Sequence, residues 1–178
     1  MLIAAFVWPH LAEATQRRAK RQGAGASSSP AASAGVNDVN LNDYFKAGEE
    51  DLKKGRADQA VRIFQAIHSY TGESLELLTC VGEAYEKALK EANLDQNQRE
   101  DLYLKTQRMT ALTTRYTKLK ADSAYYLGLA YARKGDSAQA RKYLLETCRT
   151  VPFSLDPASV WMKSKNLLLS ISNLDGEF

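Results

Sequence analysis

From about residue 40 onward apolar residues recur at helical spacing, and no stretch keeps up a strict alternation with polar ones. That pattern predicts helices throughout and no sheet. Punctuation divides it into seven. The first covers 40–54 and stops at Gly55, a residue suited to the left-handed position just past a helix end. The second covers 58–70 and stops before Gly72, and the third covers 75–92 and stops at Asn93. Asp95 and Gln98 have the spacing of a capping box, in which a carboxylate accepts the third amide and the glutamine reaches back to the cap. They open a fourth helix running to about residue 119, with Leu102, Met109, Leu112, Tyr116 and Leu119 on its core face. The fifth covers 122–134 and stops at Gly135; Asp136 and Gln139 repeat the capping pattern and open the sixth, which ends ahead of Pro152. Asp156-Pro157, a cap residue followed by proline at the first helical position, opens the seventh, to about residue 172.

The first 36 residues read differently. Residues 1–11 are mostly apolar and are followed by Ala12-Glu13-Ala14, the small-x-small form of an export cleavage site. No Lys or Arg precedes the apolar run, and Pro9 and His10 sit late in it, so a start placed downstream of the true one or a short interfacial or partner-binding segment are the alternatives. The favoured reading is an export-signal remnant over 1–14, which implies a periplasmic or envelope-associated protein, with a cytoplasmic one as the alternative. Residues 15–36 are basic and then rich in Gly, Ala and Ser; with no large side chain to bury over 22–36, they are expected to form a flexible linker. The folded unit is placed at 37–172 and a short tail at 173–178.

Charge changes the picture by its location. The chain of 178 residues carries a net +3, and Arg17, Arg18, Lys20 and Arg21 against Glu13 account for all of it. A neutral folded part disfavours nucleic-acid binding, which calls for a basic face on the fold. Weak contact of the basic cluster with an anionic membrane surface is the minority reading. Catalytic chemistry is not visible. The two histidines, His10 and His68, and the two cysteines, Cys80 and Cys148, are scattered over separate segments, and no disulfide between the cysteines is expected. Glu49, Glu50 and Asp51 are consecutive and fan around a helix instead of converging. No phosphate loop or nucleophile elbow occurs. A non-enzyme with no cofactor and no metal is expected.

One stretch repeats at long range. Leu127, Gly128, Ala130 and Tyr131, then Gly135-Asp136, then Ala140 and Leu144, and finally Pro152 resemble the tetratricopeptide repeat almost position for position. A second copy is Tyr44, Ala47, Gly48, Gly55, Ala60 and Phe64; it departs at Asp51, where the family has an aromatic, and at Gly72, where it has proline. A half-matched copy is Leu78, Val81, Gly82, Ala84 and Tyr85. Gly48 to Gly82 spans 34 residues and Gly82 to Gly128 spans 46, so the middle copy carries a 12-residue insertion. The resemblance implies an all-α, right-handed superhelix of three antiparallel helix pairs over 41–152, stacked because no pair buries its apolar stripe alone. The helix bearing Trp161 would cap it.

The family's first helices line a concave groove for a partner polypeptide. Carried over residue by residue, that groove would hold Phe45, Lys46, Glu49 and Lys53, then Thr79 and Glu83, then Tyr125, Tyr126, Leu129 and Arg133. Members that capture chaperone tails use a Lys/Asn clamp for a carboxylate, and Phe45, Glu49 and Cys80 stand where it would be. The resemblance therefore implies an adaptor for a protein partner with apolar anchors and a polar rim, in a bacterial envelope or secretion assembly. The alternative is a structural subunit that self-associates through the Trp161 helix, where Leu168 or Leu169 would stand beside the indole.

Overall fold

Five helices and no strand make up the described residues, 35–91 and 93–174 of a computed structural model. The export-signal remnant over 1–14, the basic cluster, most of the linker and the last four residues of the tail lie outside them. The helices are α1 (Leu41–Lys53), α2 (Ala57–Glu91), α3 (Gln96–Arg133), α4 (Ser137–Thr150) and α5 (Val160–Ile171). The fold is all-α.

Two tight hairpins carry the same internal geometry 80 residues apart, the spacing of Gly48 from Gly128. α1 turns into α2 through Gly55, and α3 turns into α4 through Gly135; both glycines are left-handed, at φ +74° and +78°. The turn amides find matching carbonyls. Gly55 N–H donates to Leu52 O at 3.1 Å and Arg56 N–H to Asp51 O at 2.8 Å; Gly135 N–H donates to Ala132 O at 3.1 Å and Asp136 N–H to Tyr131 O at 3.0 Å. Inside each hairpin a glycine lies under a large side chain. A methyl group on Gly48 would come within 2.7 Å of the Phe64 ring, and one on Gly128 within 2.6 Å of Leu144. Ala60 and Ala140, both fully buried, complete the two close crossings.

The hairpins stack directly on each other. Leu41, Tyr44, Phe64 and Ile67 from the first share one core with Leu127 and Ala130 from the second. Polar ties cross the joint: Gln65 Nε2 donates to Tyr131 Oη at 2.8 Å, His68 Nε2 meets Glu146 Oε1 at 2.9 Å, and Lys134 Nζ lies 2.6 Å from Asp58 Oδ1. Burying Phe64 alone is worth roughly 1.5–3 kcal/mol.

Seven helices were expected, and two of the breaks do not occur. α2 runs without interruption through Gly72, and α3 through 120–122. The reason is a seam that spans both positions. Half-buried or buried residues follow four–three spacing along α2 (Thr71, Leu75, Leu78, Gly82, Tyr85, Leu89) and along α3 (Leu102, Thr106, Met109, Thr113, Tyr116, Lys120). This is the spacing of a coiled coil, and its antiparallel register is set by the neighbours a Cβ would meet, Met109 at 3.9 Å from one on Gly82 and Lys120 at 3.8 Å from one on Gly72. A mid-helix glycine costs about 1 kcal/mol, which a continuous seam offsets. Leu112, expected on the core face, sits just outside the seam at 38% exposure while Thr113 occupies it.

The distal halves of α2 and α3 thus form an arm of about 30 Å by helical rise. No described residue between Thr71 and Tyr116 is fully buried. Gly82 belongs to this arm and does not share the seat of Gly48 and Gly128: no second helix of a tight hairpin crosses it. Asp95 caps α3 with both bonds of the box, at 2.8 and 3.1 Å. α5 begins later than expected. Asp156 spends its carboxylate on a turn, accepting from Ala158 N–H at 2.9 Å, and Ser159 becomes the cap, accepting from Met162 N–H at 3.1 Å. α5 packs on α4 and α3 with only Ser164 buried, so it half-covers the end of the stack.

Candidate partner-binding groove

α1 and the C-terminal half of α3 lie side by side because the two hairpins stack, and an aromatic cluster fills the line between them. Phe64 comes up from α2 and stacks on Tyr126, with ring centroids 4.8 Å apart and planes at 9°. Phe45 meets both edge-on, at 6.0 Å from Phe64 and 6.5 Å from Tyr126, and Tyr125 tilts against Tyr126 at 5.3 Å. Such contacts add about 0.5–1.5 kcal/mol per pair beyond burial. Tyr126 Oη donates to Glu49 Oε1 at 2.7 Å, and Arg133 donates to the Leu52 carbonyl, so both pin α3 to α1. Burial, with the Glu49 hydrogen bond second, pushes the Tyr126 hydroxyl above its ordinary range. Burial likewise raises Tyr125.

The structure brings together Phe45, Glu49, Tyr125, Tyr126, Leu129 and Arg133. Phe45, Tyr126 and Leu129 all pack against the buried cluster, and like Tyr125 each is half-buried, leaving part of its surface open. Lys46 and Lys53 stand exposed on α1, and Lys46 makes only a loose pair with Asp43 at 3.9 Å. Thr79 and Glu83 are elsewhere. Both are exposed on the arm, and Thr79 Oγ1 donates to the Leu75 carbonyl of its own helix at 2.9 Å. By the seam register Thr79 lies level with residue 112, about 20 Å along α3 from Tyr125. The surface is therefore a short ledge across two helices.

Below the ledge Asp51 replaces an aromatic. Its equivalent, Tyr131, stacks on Tyr143 with planes at 3° and centroids 5.7 Å apart. Asp51 is buried and its carboxylate accepts from the Arg56 guanidinium, while its Oδ2 has no partner among the described residues. Sequence reasoning missed a second concavity. Where α4 ends at Val151-Pro152 and α3 runs on, a notch of about 500 Å³ opens among Thr113, Thr117, Asp122, Pro152 and Val160. Burial raises the Asp122 carboxyl above its usual value. Pro152 marked one wall; the other stayed hidden behind the expected break near Lys120.

Cys80 is exposed and Cys148 half-buried, both as free thiols. Among the described residues no group of three or more His, Cys, Asp or Glu could hold a metal ion, and no helix is long and apolar enough to cross a membrane. Comparison with protein-family models, curated proteins and solved structures finds no match to this chain.

Proposed function

We propose that this chain is a non-catalytic adaptor of tetratricopeptide type, and that it holds a segment of a partner protein on the ledge between α1 and the C-terminal half of α3. In this reading two repeats stack as the start of a right-handed superhelix, and the arm is a helical extension between them. The assembly served is a bacterial envelope or secretion complex, in keeping with the export-like residues 1–14. The observation that carries the reading is the cluster of half-buried rings, Phe45, Tyr125 and Tyr126, in mutual contact between α1 and α3 with exposed Lys46 and Lys53 on α1 beside them. Rigid aromatic anchors with a charged rim are what a peptide-binding surface uses. A small ledge suits transient or avidity-assisted binding.

The test places a photo-crosslinking amino acid at Lys46 in the native host. A discrete protein adduct is expected, weakened about tenfold by Phe45→Ala with Tyr125→Ala. An adduct indifferent to both substitutions, or no adduct, refutes the reading.

A second reading is a structural subunit that self-assembles through α5. It is favoured by Phe153 and Leu155, in the segment leading into α5 and exposed at 66% and 75%, with Phe153 edge-on to half-buried Trp161; Leu168 and Leu169, expected exposed beside the indole, are both half-buried. Association abolished by Phe153→Ser with Leu155→Ser is its expected signature; association untouched by that pair removes it.

A further inference from the structure

The ledge does not stop at Tyr125. One turn earlier on the same face of α3 stands Asp122, which is also part of the wall of the notch that opens where α4 ends. The two concavities therefore meet at one carboxylate, and its charge is among the influences that raise the Tyr126 hydroxyl on the ledge side.

Asp122 is half-buried, and among the described residues it makes no hydrogen bond and no ion pair. Lys118, one turn before it, has the spacing of a helical ion pair and does not form one. Lys163 of α5 is the other nearby cation. Both lysines are exposed, with heads free to stay in water, and burial outweighs their pull on the carboxyl. A carboxylate partly withdrawn from water without a partner is costly, and a charged donor offsets that cost. The remaining wall is largely apolar, with Thr117, Val151, Pro152 and Val160 around about 500 Å³. That space takes one long side chain together with the backbone on either side of it.

We infer that the notch is the second half of the partner site: it receives an arginine of the same segment that the ledge holds, its aliphatic stem against Val151, Pro152 and Val160 and its guanidinium on Asp122. The inference rests on the ledge reading for the segment it belongs to. A guanidinium is more weakly hydrated than an ammonium and offers a carboxylate two parallel donors, which suits a half-buried site. An apolar side chain would withdraw Asp122 further from water without compensation. An acidic one would face it directly, whereas the two exposed lysines can turn away from an incoming cation. From Thr117 to Tyr125 is about 12 Å by helical rise, the reach of three to four extended residues. The arginine therefore lies about that far along the segment from the residue that meets Phe45 and Tyr125.

Two measurements test it. The first needs no partner: the full chain is titrated with butylguanidinium, its neutral isostere butylurea, and pentanoate, and followed by amide NMR shifts. Butylguanidinium is expected to bind at about millimolar concentration, to move Thr117, Asp122 and Val160, and to bind about tenfold more tightly than the other two. Asp122→Asn should abolish that preference and keep the parent's denaturation midpoint, since Asp122 ties no other element down. The second adds Asp122→Asn to the chain that carries the crosslinker at Lys46. The adduct should weaken about tenfold, and its captured segment should contain arginine. Butylurea or pentanoate binding as well as butylguanidinium, or no binding of any of the three, overturns the inference. An adduct that depends on Phe45 and Tyr125 but ignores Asp122→Asn overturns it alone and leaves the ledge reading standing; the absence of any adduct overturns both.

Discussion

Alanine at two glycines that look alike in sequence, Gly128 and Gly82, should give opposite results. In Gly128→Ala the new methyl would stand 2.6 Å from Leu144 Cγ, 2.7 Å from Cδ2 and 3.4 Å from the Ala140 carbonyl. Leu144 is fully buried, so it cannot swing aside into solvent. Overpacking of this kind costs about 1–3 kcal/mol, against which alanine's better helix propensity returns up to about 1 kcal/mol. The expected net effect is a loss of about 1–2 kcal/mol. Gly82→Ala faces open ground, because the nearest atom, Met109 Cε, would be 3.9 Å away. It should therefore gain up to about 1 kcal/mol from propensity alone. Urea denaturation of the two single variants reads both signs. Adding Leu144→Ala to Gly128→Ala should cost less than the sum of the two, because the cavity accepts the methyl. A neutral Gly128→Ala, or a Gly82→Ala as damaging as it, would refute the account of which glycines are crossing points.

Other consequences follow from single features. Gly55→Ala and Gly135→Ala, at φ +74° and +78°, should each destabilise by about 1 kcal/mol in the same assay, with no change in helix content. Arg56→Ala leaves the buried Asp51 carboxylate without its cation and should cost about 3 kcal/mol, more than any exposed ion pair such as Lys54 with Glu50. The hydrogen bond from His68 is the first cause, with nearby positive charge, that holds the Glu146 carboxyl below its ordinary value. A carboxyl whose folded value is depressed contributes stability that is present above its unfolded value and lost as pH falls through the folded one. The stability difference between the parent and Glu146→Gln should thus be largest near neutral pH and shrink below the ordinary carboxylate range; a difference constant down to strong acid contradicts it.

Local chemistry was legible and long-range continuity was not. Gly55, Gly135, Asp95 and Asp136 each announce a turn or a cap through their own backbone or side chain, and each does what its residue type dictates. The close crossings at Gly48 and Gly128 were also readable, since glycine sixteen residues ahead of Phe64 or Leu144 matches a helix pair joined by a short turn. Gly72 misled because a glycine inside a helix is a local cost, whereas what keeps α2 intact is a seam with residues some forty to fifty positions away. The four–three spacing runs on from Thr71 past Gly72 and along α3 as far as Lys120, and that was the available signal. Phe45 and Tyr125 could be placed on a common surface from the hairpin pattern; Thr79 and Glu83 could not, because their placement assumed that Gly82 sat in a third tight crossing. Asp156 lost its expected role to Ser159 by two competing local hydrogen bonds, a contest that spacing alone does not decide.

The most direct test of the central claim, two tight hairpins joined by an arm instead of three stacked ones, is one spin-label distance. Labels at Lys46→Cys and at Cys80, in a Cys148→Ser background diluted with unlabelled protein, sit 34 residues apart at positions that stacking would make equivalent. With Cys80 out on the continuous α2, sixteen residues past Phe64, the account predicts about 25 Å between them. A separation near the spacing of adjacent packed helices, about 10 Å, would contradict it.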